Sequence, residues 1–353
     1  MKHLLVLFTI ILLQFNAYAQ STYEVTGTVK NAKGEKMPGA TVFMAGSEKI
    51  TSTNSDGDFR FSVVSPGNYQ LVINTLGYES LKQSVTVNNK DETVTVTLSE
   101  KHIMLDEVII GDKKALARHL KTFTKYFIGD NENGKACTIV NPQILEFSTV
   151  KNILKATTSD FLIIDNNNLG YRVKYLLKSF TYDSKKEITL YDGDCIFEHL
   201  KGTPEQEAIW DVNRRKAYDG SLMHYLRSIY TNTTRKEGFL IYKIVSPYTP
   251  FVIESLPIPS EQIIKRPDSN FMVFKLSMRF YVLYDKKKAE KIYRPDFVRN
   301  ITIDDMTGTG SVFMIDSPID RRGNYGDYKK ILIQGFWGRK RIGDQLPLEY
   351  QPK

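Results

Sequence analysis

The chain has 353 residues, 48 Lys+Arg, 40 Asp+Glu, 20 Tyr, 19 Phe, two Cys and two Trp. A 41% hydrophobic and 25% charged composition, with 22 Gly and 13 Pro, excludes a disordered, collagen-like or low-complexity chain and leaves room for two domains.

The first segment is an address. Lys2 precedes the apolar run Leu4 to Leu13, and Ala17-Tyr18-Ala19 supplies a small-x-small cleavage pattern. Residues 1–19 are read as a secretory signal peptide. The run is too short for the ~20 residues a spanning helix needs, and no later run suffices, so no transmembrane helix is expected in the mature chain. No Cys follows the cleavage site to carry a lipid.

Export bears on Cys137 and Cys195. An oxidising compartment allows a disulfide between them. The alternative is two buried thiols acting as small hydrophobes. Charge divides the mature chain: residues 20–110 hold 8 basic and 11 acidic side chains, the remainder 39 and 29. The step places a boundary near residue 110. A basic exported region suits acidic glycans or anionic surfaces. Nucleic acid is not expected as a partner, because no recognition motif is present.

Residues 20–99 alternate short strands with turns, the pattern of a β-sandwich. Tyr23, Val25, Gly27 and Val29 share one face of the first strand. Strands then follow from Thr41, Ile50, Phe59, Tyr69, Leu81 and Thr93, separated by turns such as Asn54-Ser55-Asp56-Gly57 and Ser65-Pro66-Gly67. Asp56 and Asp58 supply only a fragment of a calcium-ligand series, so a hairpin turn is expected there.

Several spaced pieces carry a resemblance: Gly27–Lys30 (GTVK), Pro38–Val42 (PGATV), Ser55–Phe61 (SDGDFRF), Pro66–Leu71 (PGNYQL) and Leu76–Tyr78 (LGY). The stretch resembles the carboxypeptidase regulatory-like domain. That resemblance implies a transthyretin-like, Ig-like sandwich of seven strands, found beside metallocarboxypeptidases and at the front of TonB-dependent receptors of Gram-negative bacteria. Residues 100–112 are read as a linker strand. Within them Met104–Gly111 (MLDEVIIG) resembles the segment that follows this sandwich in such receptors. About 243 residues remain, too few for a plug and a 22-stranded barrel.

Residues 113–353 read as an α+β domain, mainly antiparallel β. Leu116, Leu120, Phe123 and Phe127 mark an amphipathic helix over Lys113 to Ile128. Strands are expected at Ile144–Phe147, Ile153–Thr157, around Tyr171–Leu177, at Glu187–Phe197 and at Phe239–Val245. Asp192-Gly193-Asp194 is read as a turn. Glu205–Trp210 and Gly220–Thr231 read as helices. From Met272 to Tyr284 every second residue is apolar, which predicts one long strand. Later strands are expected near Ile301, Ser311 and Ile331.

The whole also resembles a group of exported two-domain proteins, through Cys137–Pro142, Leu169–Tyr171, Tyr218–Arg227 and Gly343–Pro347. That resemblance implies an architecture and no particular activity.

The motifs of hydrolytic chemistry are missing from the sequence. A metallocarboxypeptidase needs His-x-x-Glu, but the third residues after His102, His119, His199 and His224 are Leu105, Thr122, Gly202 and Arg227. Gly-x-Ser-x-Gly and a P-loop are also missing. No catalytic residue, cofactor or metal is assigned. Ser221, His224 and Arg227 lie at i, i+3 and i+6 and could form one polar helix face. Trp337, Arg339 and Arg341 form a basic-aromatic stretch suited to gripping an anionic or sugar surface. These six are the candidate partner surface.

The expectation is therefore a non-catalytic exported envelope protein, periplasmic or associated with outer-membrane components of a Gram-negative cell, that binds a protein or glycan. The alternative is a hydrolase of envelope glycan or peptide that works through carboxylates, a chemistry without a local spacing signal.

Overall fold

A computed structural model describes residues 22–101, 113–246, 248, 250–275, 278–293, 298–303, 308–326 and 328–353. The signal peptide and Met104–Gly111 lie outside the described residues.

The first region is a seven-stranded sandwich. Strands β4 (Asp58–Val64), β1 (Tyr23–Asn31) and β7 (Glu92–Leu98) form one sheet in that order. Strands β3 (Ile50–Ser52), β2 (Thr41–Met44), β5 (Gly67–Asn74) and β6 (Leu81–Val87) form the other. β1 and β7 run parallel, and the remaining pairs are antiparallel. The period-2 pattern turns Val25, Val29, Phe59, Phe61, Leu71, Ile73, Val96 and Leu98 inward, where all are buried. Gly27 shares the inward face of β1. A Cβ there would come within 2.5 Å of the Val94 carbonyl on β7 and 2.6 Å of the Phe59 ring on β4, so the missing side chain lets both neighbouring strands close on β1. Asn54 Oδ1 accepts the N–H groups of Asp56 and Asp58, both at 2.9 Å, which closes the expected hairpin turn.

Residues 113–353 build two further large sheets on their own cores, and the second sheet also buries Leu240, Tyr242, Phe251, Tyr281 and Val312 as a separate cluster. In the first, strands β8 (Cys137–Ile139), β11 (Leu162–Asn166), β12 (Tyr171–Asp183), β10 (Ile153–Thr158) and β9 (Leu145–Val150) form one sheet, with β13 (Ile188–His199) along the other edge of β12. The helix Lys113–Phe123 runs on as a π-helical turn, Thr124–Ile128. It sets Phe123 and Phe127 into this core, stacked at 4.7 Å between ring centroids. Asp192, Gly193 and Asp194 are not a turn. They continue β13 opposite a bulge in β12 between Leu177 and Ser179.

In the second core, strands β19 (Asn300–Ile303), β15 (Phe251–Glu254), β14 (Phe239–Ser246), β18 (Phe280–Tyr284), β20 (Gly310–Ile315) and β22 (Ile331–Gly335) form an antiparallel sheet. The helix Leu222–Thr231 buries Tyr225, Leu226 and Ile229 with Phe239, Phe280, Phe313 and Trp337. The single strand expected over Met272–Tyr284 is two. Phe271–Phe274 (β17) belongs to a small sheet with β16 (Ile264–Lys265) and β21 (Ile319–Asp320), while β18 joins the large one. Alternation records which residues face inward, and it continues unchanged when the chain crosses between sheets. The last residues return to the first core, where Ile342, Leu346 and Tyr350 are buried.

The sandwich lies against both of these cores through the sheet β3–β2–β5–β6. Phe43 and Val72 are buried together with Ile196. Gly46 N–H donates to the Cys195 carbonyl at 2.7 Å, and Phe197 N–H donates to the Ser47 carbonyl at 2.9 Å. Lys82 Nζ meets Asp194 Oδ1 at 2.7 Å. On the other side Asp320, 0% exposed, accepts the Asn68 N–H at 3.0 Å and Arg322 Nη2 at 2.7 Å. The Arg322 guanidinium lies 4.1 Å from the Tyr69 ring centroid and also donates to the Asn68 carbonyl.

Candidate functional site

The candidate partner surface does not assemble. His224, Arg227 and Trp337 are buried at 3%, 8% and 6% exposure. Ser221 caps the helix Leu222–Thr231, its Oγ accepting the His224 N–H at 3.1 Å. The face that carries the polar residues is the face that packs inward. Gly220 links the others. Its N–H donates to His224 Nδ1 at 3.1 Å and its carbonyl accepts Trp337 Nε1 at 2.8 Å. Gly220 has φ +75° and a Cβ there would press on the Tyr284 ring, so both backbone and space require glycine.

His224 is fully engaged. Nδ1 accepts a backbone N–H, so the proton sits on Nε2, which faces Glu237 Oε2 at 3.4 Å. The ring stacks on Tyr218 at 4.7 Å and meets the edge of Phe239 at 4.9 Å. Burial pushes its pKa below the usual histidine range, against the opposing pull of Glu237. Arg227 donates to the carbonyls of Arg322 at 2.9 Å, Tyr350 at 2.7 Å and Leu348 at 3.0 Å. It ties the chain's last residues to the second core. Arg339 and Arg341 are more exposed; Arg339 donates to Gly308, and Arg341 donates to Gly338 and Lys340.

Cys137 and Cys195 are free thiols. Cys137 is on β8 and Cys195 on β13, with β11 and β12 between them. Three strand spacings alone come to ~14 Å, and Cys195 lies a further four residues along β13 from His199, the residue in line with Cys137, so the pair is well beyond the Cα separation a disulfide spans. Burial pushes both thiols up to about 12, so neither is a nucleophile at neutral pH.

What the fold does bring together is the set of stretches that carried the second resemblance. Arg214, buried, donates to the Leu169 carbonyl at 2.6 Å and the Gly170 carbonyl at 3.2 Å, with its guanidinium 4.4 Å from the Tyr171 ring. Asn166 Nδ2 donates to the Gly343 carbonyl at 2.9 Å. Beside this junction opens a cleft of about 260 Å³ lined by Asn131, Asn133, Asn168, Asn213, Lys216 and Asp344, among others. Its amides form a directed chain. Asn213 donates to Asn168 at 2.9 Å, Asn168 to Asn133 at 2.7 Å and Asn133 to Asp344 at 2.9 Å. Asn131 donates to both Asp344 oxygens, at 2.8 and 2.9 Å. Sequence reading passed over these residues because Asn131, Asn133 and Asn168 look like turn punctuation. Asn213, within a helix, carries no signal of its own.

A second concavity of about 480 Å³ lies where β4 and β1 of one sandwich sheet meet β3 of the other, lined by Thr26, Thr28, Thr51, Asp58, Arg60 and Thr93 among others. Here Thr26 Oγ1 meets Thr93 Oγ1 at 3.0 Å and Arg60 pairs with Glu24 at 3.2 Å.

Two sheets of seven strands, with β1 and β7 parallel and the interior filled by alternate residues, are what the sequence resemblance implied. The CarboxypepD_reg-like domain family matches over residues 25–110. These residues are a CarboxypepD_reg-like domain. The chain is also similar to the TonB-dependent receptor P39 of Formosa agariphila, 35% identical over 102 residues. That match covers 28% of this chain and 9% of the receptor, so the chain matches only a small part of the receptor's length. Among solved structures, the group B streptococcus pilus 2b backbone protein is 16% identical, with 22% of this chain and 41% of that chain covered at TM-score 0.21. Catechol 1,2-dioxygenase from Acinetobacter sp. ADP1 is 10% identical, with 28% and 59% covered at TM-score 0.22. Likenesses this slight carry no argument about function. Among the described residues, no helix is long and apolar enough to cross a membrane.

Proposed function

We propose that the chain is a non-catalytic, exported cell-envelope protein in which the CarboxypepD_reg-like domain acts as an interaction module for a protein or glycan partner, in contact with outer-membrane components. One observation carries the reading. The sandwich packs on its own chain through Asn68 on β5 and Lys82 on β6, which meet Asp320, Arg322 and Asp194, and leaves open the polar cleft between β4, β1 and β3. A face held rigidly and left uncovered is suited to presentation, because little conformational freedom is lost when a partner docks. The family of the domain and the likeness to a TonB-dependent receptor support an envelope setting. The engaged state of His224 and the protonated thiols support a binding role over nucleophilic chemistry.

Crosslinking in intact envelopes, followed by capture, tests this. A partner lost when Arg60 and Asp58 are both replaced by Ala supports the reading. Release of sugars or peptides from envelope material by the purified chain would replace it with the hydrolase reading.

A further inference from the structure

We propose that the cleft between the helix Pro204–Tyr218, the Asn131–Asn133 turn and Asp344 is a saccharide-binding site for one or two neutral, hydroxyl-rich sugar units of a longer glycan. This adds a second contact to the binding role above and rests on that reading only in holding that the glycan is bound, not cut. The site belongs to the second region and is separate from the sandwich cleft.

The amides of the cleft keep hydrogen-bonding valence that their mutual bonds do not use. Asn213, Asn168 and Asn133 each direct side-chain N–H toward the next acceptor in the chain, which ends on Asp344. An amide nitrogen carries two protons and its oxygen two lone pairs. Asn168 and Asn133 thus each keep one N–H and one lone pair beyond the chain, and Asn213 keeps its oxygen. A sugar hydroxyl donates and accepts at once, so a row of groups that offer both is complementary to a row of hydroxyls. The internal bonds also hold the amides in one orientation, which removes part of the ordering cost of binding.

Charge and size select the class. Lys340 lies 3.6 Å from Asp344. Lys216 and Glu132 bring one further charge of each sign to the lining. The balance of two bases and two acids gives no net attraction for an anion. The volume, about 260 Å³, lies below the range of about 300–1,000 Å³ typical of drug-sized ligands and suits a short saccharide stretch with its ends in solvent. Among the described residues that line it there is no aromatic platform, so affinity is expected to be weak, on the order of millimolar per short oligomer.

The test uses the full mature chain, with maltohexaose, chitohexaose and oligogalacturonate as probes in calorimetric titration and saturation-transfer NMR. Binding of at least one neutral oligomer is expected. Asn213→Ala should weaken it about fivefold to tenfold, the loss of one or two hydrogen bonds. Because Asn213→Ala also removes bonds to Asn168, Lys216→Ala is run beside it, as a change of an exposed residue at the rim that should weaken binding while leaving the melting temperature unchanged. Arg60→Ala, on the sandwich, should leave it intact. No binding of any neutral oligomer, preference for oligogalacturonate alone, or a loss in Arg60→Ala but not in the cleft variants would overturn the proposal. Cleavage of a bound oligomer would overturn the non-catalytic reading instead, and the Asn213 and Lys216 variants would still report whether the sugar sits here.

Discussion

The interior of the sandwich and the joint by which it meets the second core are held by different physics. The interior is apolar, and Val25, Val29, Val42, Leu71 and Ile73 are all wholly buried. The joint is polar and charged: Asp320 at 0% exposure accepts from Asn68, Arg322 and Asn324, and Arg322 bridges back to Asn68 and Tyr69. Apolar burial is non-directional and tolerates swaps of similar volume. A buried ion pair adds little net stability, yet losing one partner strands a charge. The interior therefore makes the sandwich stable, while the joint fixes where it sits.

The sharpest way to break this contrast is at the joint. Asp320→Ala leaves the mostly buried Arg322 without its carboxylate and should cost about 3–5 kcal/mol in urea unfolding of the whole chain. The double replacement of Asp320 and Arg322 by Leu and Met should recover only part of that, because the backbone N–H groups of Asn68, Arg322 and Asn324 still lose their acceptor. If the single change costs less than about 1 kcal/mol, the joint is not the organising contact.

A change inside the sandwich should cost less. Gly27→Ala places a methyl group against the Val94 carbonyl and the Phe59 ring and should destabilise by about 1–3 kcal/mol through overpacking, without altering the joint. Paired Gly27→Ala and Phe59→Leu changes should be less than additive, which a double-mutant cycle measures.

Titration separates the regions further, because the sandwich interior is almost free of ionisable groups whereas the second core buries His224. Burial holds the folded pKa of His224 below its unfolded value of about 6.5, so the fold prefers the neutral ring. Its contribution is present above the unfolded pKa and is lost as pH falls below about 6.5 toward the folded value. The melting temperature should fall across that window, and His224→Gln should flatten the slope.

The smallest effect is expected at Tyr225. Its hydroxyl is buried without a hydrogen-bond partner. Tyr225→Phe should be neutral or stabilising by up to about 1 kcal/mol, in contrast to the loss when a paired polar group is removed. A loss above 1 kcal/mol in thermal unfolding would reveal a partner for that hydroxyl.

Strand positions in the sandwich were legible because their signals are local. Alternate apolar residues name the inward face, and turns such as Asn54–Gly57 and Ser65–Gly67 limit how far each strand can run. The helix Lys113–Phe123 and the pair Ile153–Thr158 with Leu145–Val150 were legible for the same reason. What periodicity lacks is the identity of the element that covers a face. Ser221, His224 and Arg227 follow a helical repeat whether that face meets water or the chain's own last residues, and only packing put Tyr350 and Leu348 over Arg227. Two cysteines in one exported region satisfy the arithmetic of a disulfide, but pairing depends on sheet order, and β11 and β12 separate them. The amide cleft depends on tertiary structure most of all. Asn131, Asn168, Asn213 and Asp344 come from four distant stretches. Each is an ordinary polar residue in its own neighbourhood, and their shared hydrogen bonds exist only once the sheet, the helix Pro204–Tyr218 and the returning C-terminal segment have closed around one junction.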